Sequence, residues 1–295
     1  MFSPCRTYRV ILLSNGHRGR AFLNLENKVG VVTGASSGIG RAIALDMASK
    51  KMKLLLAARR SSPLEEVSGE VVRRGGEATV LVADVSTKEG AESVVRQASE
   101  RFGSLDVLVN NAGVGFFGPL EEATDAAIEK VTATNLMAPI YSTRAAIPLM
   151  KGRGGAIVNI SSLSAFAPQP WLSLYSTTKA ALRAFSTSMQ IELRPLGIRV
   201  IGVYPGYIRT DFEKAEVTTD AGRKAGRREE MGKPGRVFDA TNVSKTVVKA
   251  LEMDAEGDVF IGASGHALAL VATHLSPLVK RYWRNRYRRV LGRAG

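Results

Sequence analysis

The chain has 295 residues, of which 45% are hydrophobic and 23% charged. That excludes a disordered or low-complexity protein and allows a full core in one large domain or two small ones. The single cysteine, Cys5, excludes a disulfide framework, and His17, His266 and His274 lack the spacing of a zinc site. The net charge of +14 is concentrated at the ends. Residues 1–25 carry Arg6, Arg9, Arg18 and Arg20 without an acid. Residues 274–295 carry Lys280, Arg281, Arg284, Arg286, Arg288, Arg289 and Arg293, again without an acid. Between them 30 basic residues stand against 27 acidic ones, so the basic character says nothing about the chemistry of the core.

In residues 1–25 the apolar stretch Val10-Ile11-Leu12-Leu13 is too short for the core of a signal peptide and has no small-residue cleavage site after it. The segment reads as a disordered basic extension, with a transit-like leader as the alternative. No apolar run approaches the roughly 20 residues of a membrane span. The expected location is cytoplasmic, with attachment to a membrane surface as the rival.

From residue 26 to residue 273 short apolar runs alternate with amphipathic stretches. Strands are predicted at 28–33, 53–58, 78–83, 106–110, 155–161, 198–204 and 258–261. They are rich in Val, Ile and Leu with little polar alternation, as in strands covered on both faces. Helices are predicted at 38–50, 63–74, 88–102, about 121–151, 173–194 and 241–252. This alternation implies an α/β fold: a Rossmann-type, doubly wound parallel sheet in a single domain.

The first strand runs into Thr33-Gly34-Ala35-Ser36-Ser37-Gly38-Ile39-Gly40 and then a helix. Glycines there allow a tight turn and a close backbone approach to a pyrophosphate, and the helix N-terminus supplies N–H groups and a positive dipole end. Gly34, Ser36, Ser37, Gly38, Ile39 and Gly40 are therefore candidate cofactor residues. The spacing is G-x-x-x-G-x-G and departs from G-x-G-x-x-G. After the second strand stand Arg59 and Arg60. An acid at that point would hold a free ribose hydroxyl, whereas arginine matches a 2′-phosphate. NADP(H) is the expected cofactor and NAD(H) the alternative. Asp84 and Val85, after the third strand, are placed to meet the adenine. Asn110-Asn111-Ala112-Gly113, after the fourth, brings backbone close to the cofactor while the asparagines brace the strands.

Ser162, Tyr175 and Lys179 are spaced Ser-x12-Tyr-x3-Lys. Tyr175 and Lys179 are four residues apart and share a helical face. An unperturbed tyrosine titrates near 10, too high for acid–base work at neutral pH; a neighbouring ammonium favours the phenolate. Ser162 ends the fifth strand, where its hydroxyl can bond a substrate oxygen. Ser161 lacks the matching distance to Tyr175. Each residue alone has a plain structural reading, as core tyrosine, surface lysine or turn serine; together they form a catalytic set.

These motifs, with Asn135 in Thr134-Asn135-Leu136 and with Pro205-Gly206-Tyr207-Ile208-Arg209-Thr210, resemble the short-chain dehydrogenase/reductase family over about residues 26–262. The resemblance implies hydride transfer between a nicotinamide and a carbonyl or secondary alcohol, with Tyr175 as acid and base. It implies that Asn135 holds a water beside Lys179. It also implies that Pro205, Gly206, Ile208 and Thr210 border the nicotinamide, and that the chain forms a homodimer or homotetramer through the helices near 121–151 and 173–194. Pro139 stands where the family often has glycine, and Ile208 where valine is common. Phe116, Phe117, Phe166, Trp171 and Leu172 suggest an apolar small-molecule substrate. The alternative functions are an NADP(H)-binding sensor and a membrane-surface adaptor, both without turnover.

Residues 211–238 are polar and read as a substrate lid. Residues 276–291 open with Ser276 and Pro277 and repeat apolar residues at helical spacing among basic ones, a basic amphipathic helix. Three roles remain open for it: peripheral membrane contact, packing on a partner subunit, or packing on its own domain. No specific nucleic-acid partner is expected.

Overall fold

The computed structural model describes residues 24–225 and 237–294. In chain order the first strands are β1 (Val29–Thr33), β2 (Lys53–Ala58), β3 (Glu77–Val82), β4 (Val107–Asn110), β5 (Phe116–Phe117) and β6 (Gly155–Ile160). They are followed by β7 (Ile198–Tyr204), β8 (Ile208–Arg209), β9 (Val217–Thr218), β10 (Phe238–Asp239) and β11 (Gly257–Phe260). Seven of them form one sheet in the order β11-β7-β6-β4-β1-β2-β3, with every pairing parallel. The order reverses between β1 and β4, and the crevice beyond the strand ends at such a reversal is where doubly wound sheets bind ligands.

The helices are α1 (Gly38–Ala48), α2 (Ser61–Arg73), α3 (Lys88–Phe102), α4 (Asp125–Thr132), α5 (Ala138–Met150), α6 (Ser173–Leu193) and α7 (Asp220–Ala225). Further along the chain come α8 (Ala240–Glu252), α9 (Ala263–His274) and α10 (Ser276–Ala294). The strand period of two distributes side chains to two cores. Val32, Leu54 and Leu56 pack with Ile43, Met47 and Val247 on one face. Val31, Leu55 and Leu108 pack with Val94, Val95 and Met150 on the other. Strong local signals set some boundaries. The Thr87 hydroxyl caps α3 by accepting from the Gly90 N–H, and Gly103 ends it at φ +76°.

Strand ends differ from the sequence reading by a residue or so, as fraying ends do. Three differences are larger. The stretch predicted as one helix near 121–151 is α4, a π-turn over Ala133–Met137, and α5. Pro139 has no N–H to offer the Asn135 carbonyl four residues back, which explains a bulge there. The described part of 211–238, expected as a lid, holds a 3₁₀ turn at Asp211–Ala215, then β9 and α7; β9 pairs with β5, and β10 pairs with β8. Its remainder, 226–236, lies outside the described residues, as do residues 1–23 of the basic extension. The C-terminal helix is preceded by a second one, α9, which the sequence reading left unassigned.

Candidate functional site

A cleft of about 1130 Å³ opens along the C-terminal ends of the strands, above the usual range for small-ligand pockets. Its floor is the turn between β1 and α1. Gly34 and Gly38 adopt φ of +64° and +56°, which favours glycine at both. A Cβ at Gly34 would stand 3.0 Å from the Ala112 Cα, and one at Gly38 would stand 3.3 Å from the Thr210 methyl. Gly34, Ser36, Ser37, Gly38 and Ile39 line the cleft. The side chain of Ser37, the N-cap of α1, makes no capping bond to the helix. Gly40 lies beneath the turn instead, where a Cβ would fall 2.4 Å from the Gly34 carbonyl oxygen and the Asn111 amide. The turn is thus a cradle that side chains would fill, fitting a pyrophosphate at a helix N-terminus.

Along the cleft from the turn, Arg59 and Arg60 are exposed and line it at the end of β2. Among the described residues neither forms an ion pair. Asp84 and Val85 line the same wall. Burial opposes ionisation of Asp84, but bonds from the Ser86 N–H and hydroxyl, with the charges of Arg59 and Lys130, outweigh it and hold its carboxyl below the ordinary value. Asn111, Ala112 and Gly113 line the cleft opposite the turn. The Asn111 amide donates to the Thr33 and Gly34 carbonyls at 2.9 and 3.3 Å, and the Thr33 hydroxyl accepts from the Asn111 and Ala112 N–H groups. The glycine turn is thereby bonded to the end of β4. Asn110 bonds Asn159 on β6 at 2.9 Å and accepts from Ser142 on α5.

Ser162, Tyr175 and Lys179 line this one cleft. Lys179 is buried, and its ammonium donates to the Ile160 carbonyl at 2.9 Å and lies 5.8 Å from the centre of the Tyr175 ring. Burial depresses its pKa from 10.5 to about 8. The Ser162 hydroxyl accepts from the Ser164 N–H. That of Ser161 is buried and donates to the Lys179 carbonyl, so it holds β6 to α6. Asn135 is fully buried in the π-turn and does not line the cleft. Its side chain accepts from the Val114 N–H and donates to the Val114 carbonyl and the Thr178 hydroxyl. Pro205, Gly206, Ile208 and Thr210 line the far wall.

The predicted apolar set needs correction. Leu172 lines the cleft, but Phe116, Phe117, Phe166 and Trp171 do not. Phe116 and Phe117 are fully buried in side clusters, and Phe166 packs against Tyr204 and Phe260. Trp171 holds φ +62°, a costly region for such a residue, at the entrance to α6. Its indole N–H donates to the Tyr287 hydroxyl at 3.1 Å, and its ring packs edge-on against Phe117 and Tyr287. The apolar wall is completed by residues the sequence reading did not select: Phe212, Leu268, Tyr282 and Trp283. Phe212 lies 5.9 Å from Tyr175, ring centre to ring centre. The repeated apolar residues of the C-terminal helix were the only signal for two of these four.

The sequence profile described as short chain dehydrogenase matches residues 28–221. The chain belongs to the short-chain dehydrogenase family. It is similar to an uncharacterized oxidoreductase of Methylorubrum extorquens, 36% identical over 82% of this chain and 98% of that one. It is 36% identical to 11-beta-hydroxysteroid dehydrogenase 1A of Arabidopsis thaliana over 77% of this chain and 66% of that one. Among solved structures, an alcohol dehydrogenase of Thermococcus sibiricus complexed with 5-hydroxy-NADP matches at a TM-score of 0.68 and 29% identity, covering 80% of this chain and 96% of that one. A short chain dehydrogenase/reductase of Burkholderia phymatum in complex with NAD matches at 0.78 and 25%, covering 84% and 94%. This short-chain dehydrogenase is an NAD(P)-dependent oxidoreductase with a Rossmann-type fold. No described helix is long and apolar enough to cross a membrane.

Proposed function

We propose that this short-chain dehydrogenase interconverts a carbonyl and a secondary alcohol on an apolar small molecule, with NADP(H) as cofactor and Tyr175 as acid and base. The observation that carries the reading is the convergence of Ser162, Tyr175 and Lys179 on the cleft whose floor is the glycine turn. The nicotinamide, when bound, supplies or accepts the hydride. Tyr175 gives its phenolic proton to the carbonyl oxygen in reduction and takes it back in oxidation. The Ser162 hydroxyl donates to the same oxygen and stabilises its developing charge. The Lys179 ammonium favours the Tyr175 phenolate. Asn135 acts from below, holding a water of a proton relay beside Lys179.

Arg59 and Arg60 support the choice of NADP(H). They are cationic, line the cleft at the end of β2 and lack an ion-pair partner among the described residues, which suits a 2′-phosphate. Ser36, Ser37, Gly38 and Ile39 would hold the pyrophosphate, Asp84 and Val85 the adenine, and Ile208 and Thr210 the carboxamide. Residues 211–238 serve as the substrate lid, a role supported by Phe212 and Glu213 in the cleft wall. The proposed assembly is a homodimer or homotetramer.

Absorbance at 340 nm tests the reading, with NADPH and NADH against aliphatic and aromatic ketones and aldehydes. Turnover with NADPH in preference to NADH is the expected result. Tight NADPH binding without turnover in either direction would overturn it in favour of a cofactor sensor.

A further inference from the structure

Helix α9 is inverted for a surface helix. Its small residues Ala269 and Ala272 face the protein at 3% and 6% exposure, while Leu268, Leu270 and Val271 face outward. Exposed apolar residues continue past the break: after Leu268 and Val271 come Leu275, Leu278 and Tyr282. Leu278 and Tyr282 are 61% and 58% exposed. Soluble proteins rarely leave such a row uncovered. The opposite side of α10 is occupied, since Tyr287 is bonded to Trp171 and Trp283 lines the cleft. Packing of the helix on its own domain therefore accounts for one face and, among the described residues, leaves the row open.

Charge identifies what covers it. From residue 259 to the end of the chain there are seven Lys and Arg residues and no Asp or Glu. Lys280, Arg281 and Arg284 on the same helix are exposed, and Arg281 lies three residues from Leu278. A second copy offering the same segment would bring like charge against like. An anionic lipid surface offers acyl chain to the row and phosphate to the exposed cations.

We infer that the outer face of α9 and α10 docks this protein on an anionic lipid bilayer, with the mouth of the cleft turned toward the lipid. Leu268 and Tyr282 belong both to the apolar row and to the cleft wall. The row is thus continuous with the site. Resting on the oxidoreductase reading, the substrate class is then an apolar carbonyl or alcohol that partitions into the bilayer.

The test is flotation of the full chain with vesicles of phosphatidylcholine plus phosphatidylglycerol, and with phosphatidylcholine alone. Wild type is compared with Leu275→Glu/Leu278→Glu and with Lys280→Glu/Arg281→Glu/Arg284→Glu, none of which lines the cleft. Circular dichroism and thermal melting verify folding. Wild type should float with the anionic vesicles and much less with neutral ones, and each variant should lose about tenfold or more of that binding. Turnover of a water-soluble ketone should be unchanged in the variants. No flotation of wild type, or equal flotation of all three proteins, would overturn the proposal. So would conversion of a wild-type oligomer to smaller species by the leucine variant, since the face would then be a subunit contact. Wild type that floats while turning over no carbonyl would uphold the docking face and overturn the oxidoreductase reading alone.

Discussion

The Lys179 ammonium donates to the Ile160 carbonyl at 2.9 Å, tying α6 to the last residue of β6 with a buried charge. The ammonium has a carbonyl partner there but, among the described residues, no carboxylate within ion-pair distance. Burial therefore weakens its hold on the proton, and the pKa falls from 10.5 to about 8.

This relationship predicts a pH effect on stability. Between about 8 and 10.5 the unfolded chain holds a proton that the folded chain has released. Stability of the cofactor-free protein then rises with pH across that window, and the cost of the buried charge is fully present below it. Urea midpoints at steps from pH 7 to pH 10 measure this. Lys179→Met should be more stable than wild type at pH 7 by an amount on the order of 1 kcal/mol or more, and the difference should shrink toward pH 10. Parallel curves would contradict it.

Arg59 and Arg60 should set cofactor preference. Arg59→Ala, and more so the double alanine variant, is expected to raise the KM for NADPH about tenfold or more, the scale of one charge-assisted hydrogen bond. The KM for NADH should stay within about twofold of wild type, because a free ribose leaves the guanidinium without that partner. Equal loss for both cofactors would show that the arginines do not read the phosphate.

Gly40 makes a prediction about packing. Its absent Cβ would press on the Gly34 carbonyl and the Asn111 amide, which bind the turn to β4. Gly40→Ala should cost about 1–3 kcal/mol of stability, as overpacked sites do, and should weaken binding of NADPH and NADH alike. Thermal melting and a fluorescence titration with each cofactor measure the two effects.

Tyr287 joins α10 to the strained Trp171. Tyr287→Phe leaves the indole N–H without its partner at a cost of about 1 kcal/mol. Since Trp171 enters α6 four residues before Tyr175, the variant should raise KM for bulky ketones more than it lowers kcat for small ones. Melting temperature and the two kinetic constants, compared across ketone size, check it.

Much of this fold was legible because buried parallel strands are continuous apolar runs. β2 and β7 begin and end where those runs do. The spacing of Ser162, Tyr175 and Lys179 was legible because two lie one helical turn apart and the third follows closely on a strand end. Other features depend on contacts distant in sequence. The pairing of Phe116 with Val217 leaves no periodicity in two-residue strands. Phe116, Phe117 and Trp171 looked like substrate contacts because composition does not say which way a loop residue points. The inward alanines of α9 were hidden for a related reason: a helix apolar on both sides has no face that hydropathy can distinguish. Tyr282 and Trp283 were visible as amphipathic residues, but their place in the cleft wall depends on how α10 folds back.

The central claim is that Tyr175 moves the proton in this cleft. Single-turnover oxidation of bound NADPH by a ketone that wild type reduces, measured beside Tyr175→Phe, tests it most directly. NADPH affinity, followed by fluorescence, should remain within about threefold, while the hydride-transfer rate should fall by about a hundredfold or more, the scale of general acid catalysis. A Tyr175→Phe variant that binds NADPH and reduces the ketone at the wild-type rate would contradict the account.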